Sequence, residues 1–343
     1  MKKLLRTLLV TAIVLIALTG IKNEYARLLM SDANYGLQAL IVRSRQSCRA
    51  GTEESYDLYV GSSMFRQGLD VEELEKSGEN PYILSYNGAQ PFLILKELEY
   101  LREHQVKLRS VTVDLFVNSV QKDPWVEDPR LFLDTDLFFK LELWQEMRKS
   151  PGASWTDLWE MLVTANNEKL LTWYVDYPLI NAMFRNGGNL VTNTAASEEV
   201  LDGQLGSTEH HSENHFEMNE RQKAALLGII RLCQEEGIHL RFVETPKYKT
   251  AVCEQAYTDV MQAYCGLLRK NMVEYYLSES TVRSLEEYCG RDEAMDSMHV
   301  VSFDTTDSEY YMDVIHLSSE GRKCFTQHLV ETMQRAEQGT ESQ

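Results

Sequence analysis

A chain of 343 residues with 43% hydrophobic and 25% charged residues, 18 Gly and 7 Pro has a globular composition, which excludes disorder and fibrous structure and allows one elaborated domain or two small ones. Its 34 Lys+Arg against 52 Asp+Glu give a net charge of −18, and because all four charges before residue 24 (Lys2, Lys3, Arg6, Lys22) are positive, the remainder carries −22. A body so acidic is repelled by phosphate backbones and anionic headgroups, so nucleic acid is not an expected partner.

The first predicted element is an anchor over residues 1–23. Lys2, Lys3 and Arg6 lead into the uncharged run 7–21 (TLLVTAIVLIALTGI), and Leu4 and Leu5 extend its apolar reach toward the roughly 20 residues that span a bilayer. The basic flank holds the N-terminus in the cytoplasm by the positive-inside rule and places the chain beyond Ile21 outside, as a single-pass protein of the cell membrane. A cleaved signal peptide is the competing reading, but no small-x-small cleavage site comes after the run. Residues 24–54 read as a juxtamembrane segment. The six cysteines (Cys48, Cys233, Cys253, Cys265, Cys289, Cys324) lie beyond the anchor, where disulfides can form; they contain no C-x-x-C pair and their pairing cannot be deduced. Cys233 falls on the apolar face of a predicted helix, as a small buried thiol does.

Residues 55–338 read as one α/β domain. Five short β-rich runs, 56–60, 82–86, 111–117, 240–244 and 300–303, alternate with helical patterns, the signature of a parallel sheet. Each ends in small or polar residues: Gly61-Ser62-Ser63, Asn87-Gly88, Asn118, Thr245-Pro246-Lys247 and Asp304. Ligands of open α/β sheets bind beyond the carboxyl ends of the strands, so these endings should neighbour one another around a single site. Thr245 to Lys247 are expected to line its cleft, and Asp304 and Asp307 to shape its rim or to serve as turn residues.

Between the third and fourth runs lies an insertion, 119–217, far longer than an ordinary connection. Leu137, Leu141, Trp144 and Met147 have helical spacing, and Ser154 with Asp157 forms a capping box before Trp155, Leu158, Trp159 and Leu162. Three tryptophans so close together suit a lid or a membrane-facing surface, although packing on the sheet is the expectation. Residues 187–217 lack a period and read as a loop; His210, His211 and His215 with Glu209 and Glu213 have zinc-like spacing there, but a solvated segment is expected and no metal is assigned. Asn219 and Gln222 then form a capping box before Leu226, Ile229, Ile230 and Cys233, and Gly237 ends that helix.

Two patterns carry chemistry. A serine delivered by a strand into a tight turn at the carboxyl edge, as Ser63 is, presents its hydroxyl beside backbone N–H groups, although Gly-Ser-Ser alone also describes an ordinary turn. Near the C-terminus, YYMDVIHLSSEG sets Asp313 three residues before His316, so the carboxylate can fix the imidazole tautomer and leave the other nitrogen as a general base. Asp296 and His299 repeat the spacing, but they precede the last predicted strand and belong at the opposite edge. Ser318 should cap a helix carrying Phe325, Leu329 and Met333 that anchors the histidine loop.

With these blocks in order, the sequence resembles the SGNH/GDSL hydrolase superfamily: GSSM is similar to its nucleophile block, Asn87-Gly88-Ala89 to its glycine block, Asn118 to its asparagine block and DVIHLSSEG to its closing block. The resemblance implies a flavodoxin-like three-layer α/β/α sandwich, Ser63 as nucleophile, His316 as base and Asp313 as its orienter. It also implies an oxyanion hole from the N–H groups of Ser63 and Gly88 with the Asn118 side chain, and no cofactor. Ser62 stands where the family has Asp and Ser119 follows Asn118, departures that bear most on Asn118; Asn87 is a substitute donor. The anchor and insertion resemble the membrane-tethered branch of teichoic acid D-alanylation and alginate O-acetylation proteins. That branch implies an esterase or O-acyltransferase acting on acyl esters of a cell-envelope polymer such as an envelope polysaccharide, or on another extracellular acyl ester, with a multipass membrane acyltransferase as partner. The alternative is a catalytically silent domain of this fold that binds polysaccharide or scaffolds an acylation complex.

Overall fold

The computed structural model of the chain describes residues 2–31, 36–164, 184–185, 188–189, 193–208, 217–250, 255–289 and 298–341. Its centre is a six-stranded, wholly parallel sheet of β1 (Tyr56–Gly61), β2 (Pro81–Ser85), β3 (Leu108–Asp114), β4 (His239–Val243), β5 (Glu274–Ser278) and β6 (Met298–Val301), in the order 2-1-3-4-5-6. Chain order reverses beside β1, so β2 and β3 flank it and the crevice at its carboxyl end opens between two outgoing connections.

The sheet is buried on both faces, as an all-parallel sheet must be. Leu58, Val60, Val111, Val113, Tyr275 and Leu277 join one core cluster with helices α2 (Leu37–Ala50), α5 (Pro91–Glu103), α7 (Leu137–Met147), α10 (Glu220–Glu236) and α11 (Gln255–Lys270). Tyr59 and Tyr276, the alternating residues, point into a second cluster with α3 (Ser63–Gly68), α4 (Val71–Lys76), α9 (Glu198–Thr208) and α13 (Ser319–Glu341). Two short helices, α6 (Val117–Gln121) and α8 (Trp155–Trp159), and α12 (Glu279–Cys289) complete the set used below.

β5 is absent from the five-strand expectation, because Glu274 and Ser278 frame only three apolar residues, Tyr275, Tyr276 and Leu277; all three are buried. β3 starts and stops three residues earlier than its apolar run suggests. The ladder ends at Asp114, and Leu115, Phe116 and Val117 carry the chain into α6, a change that hydrophobicity alone does not mark. The loop expected over 187–217 contains α9, whose Leu201 and Leu205, four residues apart, pack into the second cluster. The histidine and glutamate cluster at 209–215, together with Cys253, Asp296 and the Cys289 side chain, lies outside the described residues; Cys48, Cys233, Cys265 and Cys324 are free thiols.

Helix signals were legible. Asn219 caps α10 by accepting the N–H of Arg221 at 2.9 Å, and Gly237 closes it at φ 68°. Gln222 does not complete the expected capping box: buried, it accepts the N–H of Phe92 at 3.1 Å and donates to Gln90 Oε1 at 2.9 Å, tertiary bonds that satisfy other buried polar groups. The box at Ser154 and Asp157 is present, and α8 runs into one π-helical turn, Glu160–Thr164. Of the three clustered tryptophans only Trp144 packs inside; Trp155 and Trp159 are exposed.

Helix α1 (Lys2–Ser31) carries an 18-residue window of mean hydropathy 2.3, and its 30 residues reach about 45 Å, enough for a bilayer core. Residues 4–18 and Ile21 are exposed, whereas Asn23, Ala26 and Met30 are buried against the domain. Residues 37–50 are likewise part of the core: Leu37, Leu40 and Ile41 are buried, and Asp134 accepts the N–H groups of Leu37 and of Gln38, the latter at 2.9 Å.

Candidate active site

The serine turn follows β1 without slack. An added Cβ at Gly61 would meet Asp114 Cβ at 2.3 Å, so only glycine lets β1 and β3 close at this point. Ser62, extended at φ −86° and ψ −172°, caps α3 by accepting the N–H of Met64 at 3.2 Å. Its own N–H donates to Asp114 Oδ2 at 3.2 Å, its hydroxyl donates to the same oxygen, and its carbonyl accepts the Ser85 hydroxyl from β2. Met64 and Phe65 are buried beneath the turn, which leaves Ser63, as first residue of α3, half-buried at the carboxyl edge.

The histidine loop arrives from the other end of the chain. Asp307 caps a single 3-10 turn (Ser308–Tyr310), Tyr311 and Leu317 pair across the loop, and the N–H of Met312 donates to the carbonyl of His316 at 2.9 Å. Ser318 accepts the N–H of Gly321 at 3.1 Å and donates to the Glu309 carbonyl at 2.7 Å, tying the loop to α13, whose Phe325, Leu329 and Met333 are buried as expected. α9 holds the other side: the N–H of Val314 donates to Gln204 Oε1 at 3.2 Å.

These two pieces, 253 residues apart, bring three side chains into line. Ser63 Oγ lies 2.9 Å from His316 Nε2, and His316 Nδ1 lies 2.8 Å from Asp313 Oδ2. Asp313 Oδ1 accepts the N–H groups of Ile315 and His316, each at 2.9 Å. Burial raises the Asp313 carboxyl, but the hydrogen bond and charge of His316 and the two N–H donors outweigh it, so its pKa lies below the usual value. An ionised Asp313 holds the proton on Nδ1 and leaves Nε2 as the acceptor facing Ser63, the arrangement that activates a hydroxyl. His316 and Asp313 side chains are 16% and 30% exposed, open enough for a substrate to reach.

The other expected site residues leave neighbouring strands. Gly88 follows β2 at φ 63°, and an added Cβ would collide with Glu127, so the turn requires glycine. Asn87 is already engaged, its N–H donating to Asp128 Oδ2 at 2.7 Å and its side-chain oxygen accepting from Arg66. Asn118 is exposed in the first turn of α6, four residues beyond the end of β3.

The residue at the end of β3 against the serine turn is Asp114, which was not expected as a site residue. Burial pushes its pKa up to about 6, against the Ser62 hydrogen bonds and the charge of Lys247. Its signal in the sequence is an acid inside an otherwise apolar run, VTVDLFV, since a carboxylate enters a core only where donors await it. Thr245, Pro246 and Lys247 do not line an open cleft. All three are buried, Lys247 facing Glu244 at 3.8 Å and Thr245 lying against Gly68 at the end of α3. Asp304 and Asp307 are turn residues, accepting N–H groups of Thr306 and Glu309 at 2.9 Å each.

His299 sits within β6 rather than ahead of it, stacked on Tyr276 at 4.7 Å near the amino edge, far from the serine turn. A cavity of about 320 Å³ at that edge is lined by Asp57, Glu79, Arg109 and Arg241. Its charges serve one another: Arg109 Nε donates to Asp57 at 2.8 Å and Arg241 reaches Glu79 at 3.3 Å. Among the described residues no group of three or more His, Cys, Asp or Glu could hold a metal ion.

No family model matches this sequence, and no curated protein matches it.

Proposed function

We propose that the chain is an extracytoplasmic, membrane-anchored serine esterase or O-acyltransferase of the SGNH/GDSL kind, acting on acyl esters of a cell-envelope polymer. The observation that carries this reading is the line from Ser63 through His316 to Asp313 at the carboxyl edge of a parallel sheet. The strand order 2-1-3-4-5-6 agrees with a flavodoxin-like three-layer sandwich. The apolar helix α1 supports the anchor, with the domain outside by the charge rule.

In this mechanism Ser63 Oγ attacks the acyl carbonyl carbon while its proton passes to His316 Nε2. The tetrahedral oxyanion is held by the N–H groups of Ser63 and Gly88 and the Asn118 amide, which α6 must present toward the serine. Collapse breaks the bond to the leaving alcohol, which takes the proton from His316, and leaves an acyl-serine. Water or an acceptor hydroxyl then gives its proton to His316 and attacks the acyl carbon, and collapse expels Ser63 Oγ, which takes that proton back from His316. Hydrolysis and transfer differ only in that second acceptor; a multipass membrane acyltransferase is the proposed source of acyl groups for transfer.

The test is covalent. A fluorophosphonate probe should label the full chain at Ser63, mapped by peptide mass spectrometry. A folded protein that takes no label would move the assignment to a polymer-binding or scaffolding domain. Acyl release from an ester panel, compared with transfer to glycan acceptors, then separates esterase from transferase.

A further inference from the structure

Exposed aromatic side chains gather at one end of the molecule. Among the described residues they are Tyr25, Phe138, Trp155 and Trp159, at 48%, 78%, 73% and 56% exposure. The other large apolar groups exposed outside α1 and these elements, Val200, Met272 and Val300, are scattered singly, as on any soluble surface.

The level of this patch along α1 follows from one buried contact. Lys140 of α7 donates to Asn23 Oδ1 at 3.0 Å, and Asn23 immediately follows Lys22, the first charge after the apolar run. Asn23 therefore marks where α1 leaves the hydrocarbon. Phe138 lies two residues from Lys140, about 3 Å along α7, and Trp144 lies four residues away, about 6 Å. The Trp155 ring packs on Trp144 at 4.7 Å between centroids, and Trp159 is one turn further along α8 on the same face. The π-helical turn that continues α8 packs back onto α1, and Tyr25 is on α1 itself, two residues beyond Asn23. Whatever the tilt of α7, these short steps keep the aromatics near the outer boundary, within reach of a headgroup layer roughly 5–8 Å deep. Tryptophan and tyrosine favour that layer because it takes the ring body and leaves the polar atom wet.

We propose that the domain does not hang free on α1 but lies against the outer leaflet through Phe138, Trp155 and Trp159, which with Tyr25 form an aromatic belt around the exit of the helix. The occupant of the patch is the lipid headgroup layer, because the patch is continuous with the apolar surface of α1. The same base carries Asp134, which binds the first N–H groups of α2 and the Tyr86 hydroxyl ahead of the Gly88 turn, so the belt also fixes the candidate site relative to the membrane. This inference rests on the reading of α1 as a bilayer span and is independent of the chemistry at Ser63.

The test reconstitutes the full chain in phosphatidylcholine vesicles whose acyl chains carry bromine near the headgroup, a contact quencher of indole emission. Two of the five tryptophans are in the belt, so emission should fall by up to about two fifths, and the quenched share should drop severalfold in the double variant Trp155→Phe, Trp159→Phe. Trp144→Phe, at a buried position, should not lower that share, because both belt tryptophans remain among the four left. If the protein floats with the vesicles but parent and double variant are quenched equally, the belt is wrong and the anchor stands. Failure to float overturns both.

Discussion

The two edges of the sheet hold similar side chains and differ in what those side chains face. At the amino edge, Asp57, Glu79, Arg109, Arg241, His239 and Glu274 pair with one another, and His299 stacks flat on Tyr276. At the carboxyl edge, Asp313 is paired through a histidine whose far nitrogen faces a half-buried serine at 2.9 Å. A polar cluster that satisfies itself stabilises the fold; one that leaves a directed acceptor at an accessible turn can do chemistry.

The sharpest way to break that contrast is to remove the serine or the base. Ser63→Ala should lose fluorophosphonate labelling altogether, and His316→Ala should lower the labelling rate by ~10³-fold or more, with thermal melting close to the parent in both. Equal labelling of parent and Ser63→Ala would falsify the assignment of the nucleophile. Asp313→Asn should cost less than His316→Ala, because the ring loses its tautomer control and keeps its place. Rates of labelling measured side by side at neutral pH give the order.

At the amino edge the prediction inverts. Glu79→Ala strands the buried Arg241 guanidinium and should lower unfolding free energy by about 3 kcal/mol, read from denaturant melts, while labelling per folded molecule stays unchanged. His299→Ala should alter labelling less than about twofold, since an imidazole with no path to Ser63 contributes nothing to its activation. A larger loss in either variant would show that the edges are coupled.

The smallest effect sharpens the role of Asp114. Its folded pKa, pushed up to about 6 by burial, exceeds its ordinary value of 3.8, so between those values the folded protein keeps a proton that the unfolded chain releases. Stability from this group is therefore highest below pH 3.8, falls as pH rises toward 6 and is level above. Asp114→Asn should flatten the stability–pH profile in that window by up to about 1.4 kcal/mol per pH unit, measured by urea titration at several pH values. An unchanged slope would mean that Asp114 ionises as freely in the folded protein as in the unfolded one.

The sequence by itself determined what short-range physics controls. The apolar run bounded by lysines, the caps at Asn219 and Gly237, the serine turn after β1 and the three-residue step from Asp313 to His316 are all local, because capping, strand termination and a hydrogen bond across one turn need only neighbours. Partner choice was decided by tertiary structure. Gln222 left its capping box for Gln90 and Phe92, β5 paired although only three of its residues read as apolar, and Asp114 became the support of Ser62 because Gly61 lets β1 and β3 approach. Asn118 was displaced into α6 when the β3 ladder stopped at Asp114, and of the three clustered tryptophans Trp144 packs in the core while Trp155 and Trp159 are exposed. Each of these depends on groups far apart in the chain competing for the same buried donors and the same space, and a one-dimensional pattern does not contain that competition.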